Sequence, residues 1–199
     1  NGCKNLINLF KKKNIKNFIQ IGSSMEYGNS RSPHDEKNAC KPKGNYGLAK
    51  FKASKYLQKI GKRAKMPFTI LRLYQVYGPN QTINRLIPIV INSCLKDDNF
   101  SCSDGTQIRD FLYVKDLINL LIKVIKKKPN NEIYNVGAGN KLKVKMVIDT
   151  INDIIKLGNP QFGKIKMRKD EMKNNFPNIS KIKKYYNWSP KTNIKLGLK

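Results

Sequence analysis

Tyr46 and Lys50 are four residues apart in Asn45-Tyr46-Gly47-Leu48-Ala49-Lys50, a spacing that puts both side chains on one face of a helix, one turn from each other. A phenol carries protons near neutrality when a neighbouring ammonium stabilises the phenolate, so the pair reads as a proton-transfer device at a helix start. With 9 Tyr in a chain this rich in Lys, about 1.5 such pairs arise by chance. The surrounding segments therefore decide its meaning.

Those segments alternate between apolar runs and helical periods. The order begins with a helix over residues 2–13 and a buried strand, Phe18-Ile19-Gln20-Ile21, that runs into Gly22-Ser23-Ser24-Met25-Glu26-Tyr27-Gly28. Small hydroxyl residues then stand at a strand's carboxyl end, where open α/β sheets bind ligands. Residues 29–44 form a loop, and its His34 reads as a solvated residue and no ligand. The Tyr46 helix extends to about Lys65 and turns Phe51, Ser54, Tyr56, Leu57 and Ile60 inward. After Pro67, the run Phe68 to Leu73 completes a βαβ unit with parallel strands.

Further on, Arg85 to Lys96 reads as a helix despite Pro88, and Phe100 to Cys102 as a short strand. Phe111 to Val114 follows as a strand, with Asp116 capping a helix from Leu117 to Lys127. A strand over Ile133 to Val136, a helix over Val144 to Lys156, a strand over Lys164 to Arg168 and a helix over Ser180 to Tyr186 close the order. This alternation predicts an α/β fold with a mainly parallel sheet. No Gly-x-x-Gly-x-x-Gly lies anywhere in the 199 residues, so either the ligand is not a dinucleotide or that turn lies outside them.

Composition sets the class. The net charge of +27 invites a nucleic-acid reading. Yet Arg supplies only 6 of the 40 basic residues, and Arg carries most base and bidentate phosphate recognition. The lysines are spread along the chain and read as a solvated surface that still favours nucleotide diphosphates. Cys3, Cys40, Cys94 and Cys102 have no metal spacing and read as reduced thiols of a cytoplasmic protein. No membrane span, signal peptide or metal is expected.

Taken in order, five motifs resemble the NAD-dependent epimerase/dehydratase group of extended short-chain dehydrogenases acting on nucleotide sugars. They are Ser23-Ser24-Met25-Glu26-Tyr27-Gly28, Pro42 to Lys50, Leu71-Arg72-Leu73-Tyr74-Gln75-Val76-Tyr77-Gly78-Pro79, Gly105 to Asp116, and Asn135-Val136-Gly137 with Asn187-Trp188-Ser189-Pro190. The resemblance implies a chain lacking roughly the first third of that fold, including its glycine-rich cofactor turn. Residues 1–78 would be the C-terminal part of an NAD(P)-binding Rossmann domain with the Ser/Tyr/Lys residues. Residues 79–199 would be mainly a small α/β substrate-binding subdomain, with 108–137 returning to the Rossmann sheet.

Roles follow from the same resemblance. Tyr46 is the implied acid/base at a sugar hydroxyl. Lys50 stabilises its phenolate and holds the nicotinamide ribose, so both also bind NAD or NADP. Ser23 hydrogen-bonds the reacting sugar oxygen, a bond that strengthens as charge builds there, and Ser24 is able to substitute for it. Arg109 pairs with the diphosphate, or alternatively with Asp110; Arg168, in Met167-Arg168-Lys169-Asp170, is a second such arginine. Gln75, where the family usually has Asn, and Arg85 complete the substrate-binding set.

Dehydratases of the family usually have an acidic pair directly after the serine or threonine, where this chain has Ser24 and Met25. The implied function is thus a nucleotide-sugar epimerase or 4-keto-sugar reductase for surface-polysaccharide sugars, a homodimer in its full-length form. A dehydratase, a basic nucleic-acid-binding protein and a non-catalytic scaffold are the alternatives. The 199 residues alone are expected to be inactive.

Overall fold

Along Phe68–Leu73 the alternate side chains enter two different cores. Phe68 and Ile70 pack with Ile7, Leu57, Met66 and Ile133, whereas Leu71 packs with Leu120, Val124, Tyr134, Val136, Ile182 and Trp188. A strand buried on both faces needs a mostly apolar run, which Phe-Thr-Ile-Leu-Arg-Leu supplies apart from the buried Thr69 and Arg72. It is therefore the central strand of a parallel sheet with helices on both sides.

The computed structural model describes residues 2–168 and 171–199. The first half of the chain holds α1 (Gly2–Phe10), β1 (Phe18–Ser23), α2 (Gly44–Arg63), β2 (Phe68–Leu73), β3 (Gln75–Tyr77), α3 (Leu86–Leu95) and β4 (Asn99–Ser101). The second half adds β5 (Ile108–Arg109), β6 (Phe111–Tyr113), α4 (Val114–Lys126), β7 (Glu132–Val136), β8 (Leu142–Lys143) and α5 (Val144–Ile155). The last elements are β9 (Asn159–Gln161), β10 (Asn174–Asn175), α6 (Ser180–Tyr186) and α7 (Ile194–Gly197).

The main sheet has the order β1-β2-β7, with Ser23 beside Leu73 and Leu73 beside Val136 at the carboxyl ends. Beyond those ends β3 pairs with β6, and β5 lies between β10 and β8. A second apolar core, built on Val90, Cys94, Phe111, Val147 and Ile151, joins α3 to α5. All four cysteines are free thiols. Among the described residues no helix is long and apolar enough to cross a membrane.

Local sequence explains most of these boundaries. Pro88 is tolerated in α3 because it is the third residue, where a helix N–H has no intrahelical acceptor. Lys62 and Arg63 stand in the last turn of α2, where cations suit the helix dipole.

Two sequence expectations are corrected here. Asp116 does not cap a helix starting at Leu117: α4 starts at Val114, and the Asp116 carboxylate instead accepts from Thr192 N at 2.9 Å. Its carbonyl accepts from Trp188 Nε1 at 3.1 Å, so this residue clamps the C-terminal segment onto α4. The strand expected over Lys164 to Arg168 is absent. The strand is β9, whose backbone finds a parallel partner in β4, while Ile165 N makes one bond to Cys102 O at 3.0 Å. Lys169 and Asp170 of the quoted motif lie outside the described residues.

Candidate active site

The carboxyl end of β1 turns sharply, and the turn is stitched by one glutamate. Ser23 Oγ accepts from Met25 N at 3.2 Å, and Ser23 N donates to Glu26 Oε1 at 3.0 Å. This is a reciprocal capping box on the short 3-10 turn Ser24–Glu26. Glu26 is fully buried, and its Oε2 accepts from Arg72 Nε at 3.1 Å on β2. The Arg72 guanidinium then lies 4.6 Å over the Tyr27 ring. A Cβ on Gly22 would stand 2.6 Å from Glu26 Oε1, so any larger residue there would displace this carboxylate. Sequence analysis assigned no role to Glu26 or Arg72; the Ser-x-x-Glu spacing is the signal that points to the glutamate, and no local signal points to Arg72.

The first residues of α2 press against the same turn. A Cβ on Gly47 would meet Met25 O at 2.6 Å, so the glycine lets Tyr46 sit beside the serines. Gly47→Ala should destabilise the fold by about 1–3 kcal/mol in urea titration. An unchanged midpoint would mean that the contact relaxes freely.

Tyr46 is 60% exposed and borders two clefts. One, of about 510 Å³, is lined by Ser23, Ser24, Tyr46, Tyr74, Gln75 and Arg85. The other, of about 500 Å³, is lined by Cys3, Lys4, Gln20, Tyr46, Lys50 and Lys52. Lys50 Nζ donates to Ile21 O at 2.8 Å and lies 5.8 Å from the Tyr46 ring centroid. Five of the expected residues thus share one cleft, and Lys50 stands on the far side of Tyr46. Each serine hydroxyl has an acceptor lone pair engaged, Ser24 Oγ by Asn175 Nδ2 at 3.2 Å. Their O–H protons still point to donation. Asn175, Gln81 and Tyr74 were not singled out by sequence reasoning; Asn175 and Tyr74 have partners remote in the chain, Ser24 and His34, whereas Gln81 Nε2 donates to nearby Val76 O at 2.9 Å.

Arg109 and Arg168 belong elsewhere. Arg168 is exposed and lines a third cleft of about 330 Å³ with Cys102, Gln107, Lys166 and Glu171. Arg109 is 6% exposed; it donates to Ile108 O at 2.8 Å and forms an ion pair with Glu171. Its carboxylate partner is therefore not Asp110. That group is spent on the N–H groups of Ala138, at 2.6 Å, and Asn140, at 2.8 Å. Burial pushes the Asp110 carboxyl up to about 6, with these backbone donors opposing the shift.

His34 is also corrected. It is fully buried, stacked on Tyr27 at 4.5 Å between centroids, with Nδ1 at 2.9 Å from the Tyr74 hydroxyl. The loop around it is polar but is bound to residues far along the chain, Asn135, Phe176 and Asn178.

A family model described as the NAD dependent epimerase/dehydratase family matches residues 1–137. The dTDP-D-glucose 4,6-dehydratase of Bos taurus is 30% identical over 163 residues, 80% of this chain and 46% of that protein. A putative UDP-glucose 4-epimerase of Methanocaldococcus jannaschii is 29% identical over 205 residues, covering 100% of this chain and 66% of that one. A crystal structure of UDP-glucuronic acid 4-epimerase from Bacillus cereus, in complex with UDP-glucuronic acid and NAD, superposes with a TM-score of 0.91. Identity to it is 27%, over 98% of this chain and 63% of that one. The chain thus spans about half the length of the first of these relatives.

Proposed function

The chain belongs to the NAD-dependent epimerase/dehydratase family, with the Rossmann-type α/β fold of that family, and from this premise we propose its chemistry. The full-length protein is an NAD(P)-dependent nucleotide-sugar 4-epimerase or 4-keto-sugar reductase, serving the synthesis of surface-polysaccharide sugars. The observation that carries this reading is the cleft that gathers Ser23, Ser24, Tyr46, Gln75 and Arg85 with no carboxylate in its lining among the described residues.

Elimination of water needs a carboxyl acid and base beside the sugar. The nearest carboxyl in sequence, Glu26, is fully buried, bonded to Ser23 N and paired with Arg72. It is unable to reach a substrate. The dehydratase reading has the name of the Bos taurus relative in its favour, at 30% identity over 46% of that protein.

The cofactor fits one end of the site. A phenol and three ammonium groups, from Tyr46, Lys4, Lys50 and Lys52, border the second cleft, a donor set suited to ribose hydroxyls and phosphate oxygens. NAD(P), when bound, supplies hydride acceptance and return. Tyr46 Oη takes the proton of the reacting sugar hydroxyl, or returns it. The Ser23 hydroxyl donates to the same sugar oxygen, where negative charge develops. Lys50, fixed by Ile21 O, stabilises the phenolate electrostatically. Gln75 and Arg85 orient the sugar. The 199 residues hold no glycine-rich turn and alone should bind NAD poorly and show no turnover.

Arg109 is proposed to take the substrate diphosphate in exchange for Glu171. Arg109→Ala should weaken nucleotide-sugar binding by roughly 2 kcal/mol with little change in turnover at saturation, as calorimetry and steady-state kinetics would show. Unchanged affinity would leave Arg109 as a structural ion pair.

The reading is tested by supplying the full-length protein with NAD(P) and UDP-, CDP- and dTDP-sugars and identifying products by NMR. A C4 epimer or a reduced C4 carbonyl is expected. A 4-keto-6-deoxy product would make it a dehydratase. Salt-dependent binding to DNA or RNA with no affinity for these sugars would remove it from the class.

A further inference from the structure

His34 is the only histidine of the chain, and the chemistry above does not use it. It is fully enclosed and tied down on every side. Its N–H donates to Phe176 O at 3.0 Å, and its carbonyl accepts from Asn178 N at 2.8 Å and Asn135 Nδ2 at 2.9 Å. Nε2 stands 3.0 Å from Ser30 O, and Nδ1 stands 2.9 Å from the Tyr74 hydroxyl. A carbonyl oxygen only accepts, so the network assigns the proton to Nε2. Nδ1 is then the acceptor, and the Tyr74 hydroxyl donates to it. Burial holds the imidazole below its ordinary value of 6.5; the Arg72 charge acts in the same direction, and Ser30 O opposes it. The ring is neutral at neutral pH.

Tyr74 connects this ring to the cleft. It follows β2 directly and lines the cleft with its neighbours Leu73 and Gln75. Backbone bonds hold the line of the chain here, Tyr74 N to Val136 O at 3.0 Å and Gln75 N to Asp110 O at 3.1 Å. They do not fix the direction of the Tyr74 ring. The hydroxyl bond to His34 does, since a hydrogen bond is directional and a buried hydroxyl without a partner is costly. The same loop reaches the opposite wall: Ser32 Oγ donates to Asn174 O at 3.1 Å, and the adjacent Asn175 donates to Ser24 Oγ at 3.2 Å.

We infer that His34 is a positioning residue, which by accepting from the Tyr74 hydroxyl sets the Tyr74–Gln75 wall of the cleft and so helps determine which sugar fits. This rests on the reading of the cleft as a nucleotide-sugar site. A ring that merely filled space would need no nitrogen at this point.

Three substitutions separate the possibilities. His34→Asn keeps an acceptor where Nδ1 stands, His34→Gln keeps a donor near Nε2, and His34→Phe keeps only a ring. The readouts, made on the full-length protein, are amide exchange at Gln75 and the ratio of affinities for UDP-glucose and UDP-glucuronic acid. His34→Gln and His34→Phe should lose protection at Gln75 by about tenfold, the factor expected for one unpaired buried hydroxyl, and should shift the ratio. His34→Asn should stay close to wild type in both.

Equal behaviour of all three, or a changed unfolding midpoint with Gln75 protection intact, would overturn the inference. If His34→Phe does not fold, the pair His34→Phe with Tyr74→Phe removes both polar partners together and should fold. In that pair an unaltered affinity ratio would count against positioning. If the wild type binds none of the UDP-, CDP- or dTDP-sugars, the functional reading fails by itself, and the exchange pattern at Gln75 still decides the role of His34.

Discussion

Replacing Tyr46 by phenylalanine in the full-length protein should cut turnover at least about 100-fold while nucleotide-sugar affinity changes little. The substitution keeps the ring at the mouth of both clefts and removes only the hydroxyl that carries the proton. Tyr46 is 60% exposed, so the change has no packing cost to confuse the result. Lys50→Ala should differ in kind, lowering turnover and weakening cofactor binding together, because Lys50 serves both. Near-normal turnover in Tyr46→Phe would make Tyr46 an ordinary helix residue and its spacing to Lys50 a coincidence.

The second large effect is on stability. Glu26→Ala should destabilise the fold by about 3–5 kcal/mol, the range for breaking one side of a buried ion pair. That is a large part of the roughly 5–15 kcal/mol that holds a domain together. Two interactions fail at once. Arg72, 3% exposed, keeps its charge without a partner, and Ser23 N loses its acceptor. The double variant Glu26→Ala, Arg72→Met removes the stranded charge and should recover much of the loss in urea titration. A loss below about 1 kcal/mol in Glu26→Ala would show that the Arg72 charge is solvated after all. The reason for placing an ion pair here is geometric. It anchors the turn presenting Ser23 and Ser24 to the central strand.

The groups proposed to react were readable because they lie in short local motifs with their own geometry. Ser23 ends the apolar strand β1, Tyr46 and Lys50 share a helix face, and Gln75 begins β3 one residue past β2. The alternating elements of the sheet were readable for the same reason, since an apolar run buried on both faces announces a central strand. What failed was whatever depends on remote partners. His34 has polar neighbours in sequence and looks solvated, but its contacts are with Tyr74, 40 positions on, and with Phe176 and Asn178. Asn159-Pro160-Gln161 has little strand propensity, and only β4 makes it a strand. Ile165 and Met167 suggested an alternation that no neighbouring strand completes. Asp116 stood where a cap is expected, yet its carboxylate is used 76 positions away. For Arg109 only the Asp110 alternative fails, because its ion-pair partner, Glu171, comes from a segment 62 residues distant.

The central claim is that this cleft exchanges hydride and a proton at one sugar carbon without expelling water. The full-length protein can be incubated with NAD(P) and a UDP-sugar deuterated at C4, in ordinary water, with products read by NMR. Deuterium is expected at C4 of the inverted sugar, since hydride removed there is returned there, with the C6 hydroxyl intact. For a 4-keto substrate the cofactor's hydride is expected at C4. Loss of the C6 hydroxyl, together with exchange of the C5 hydrogen with solvent, would contradict the account, because that is the record left by elimination.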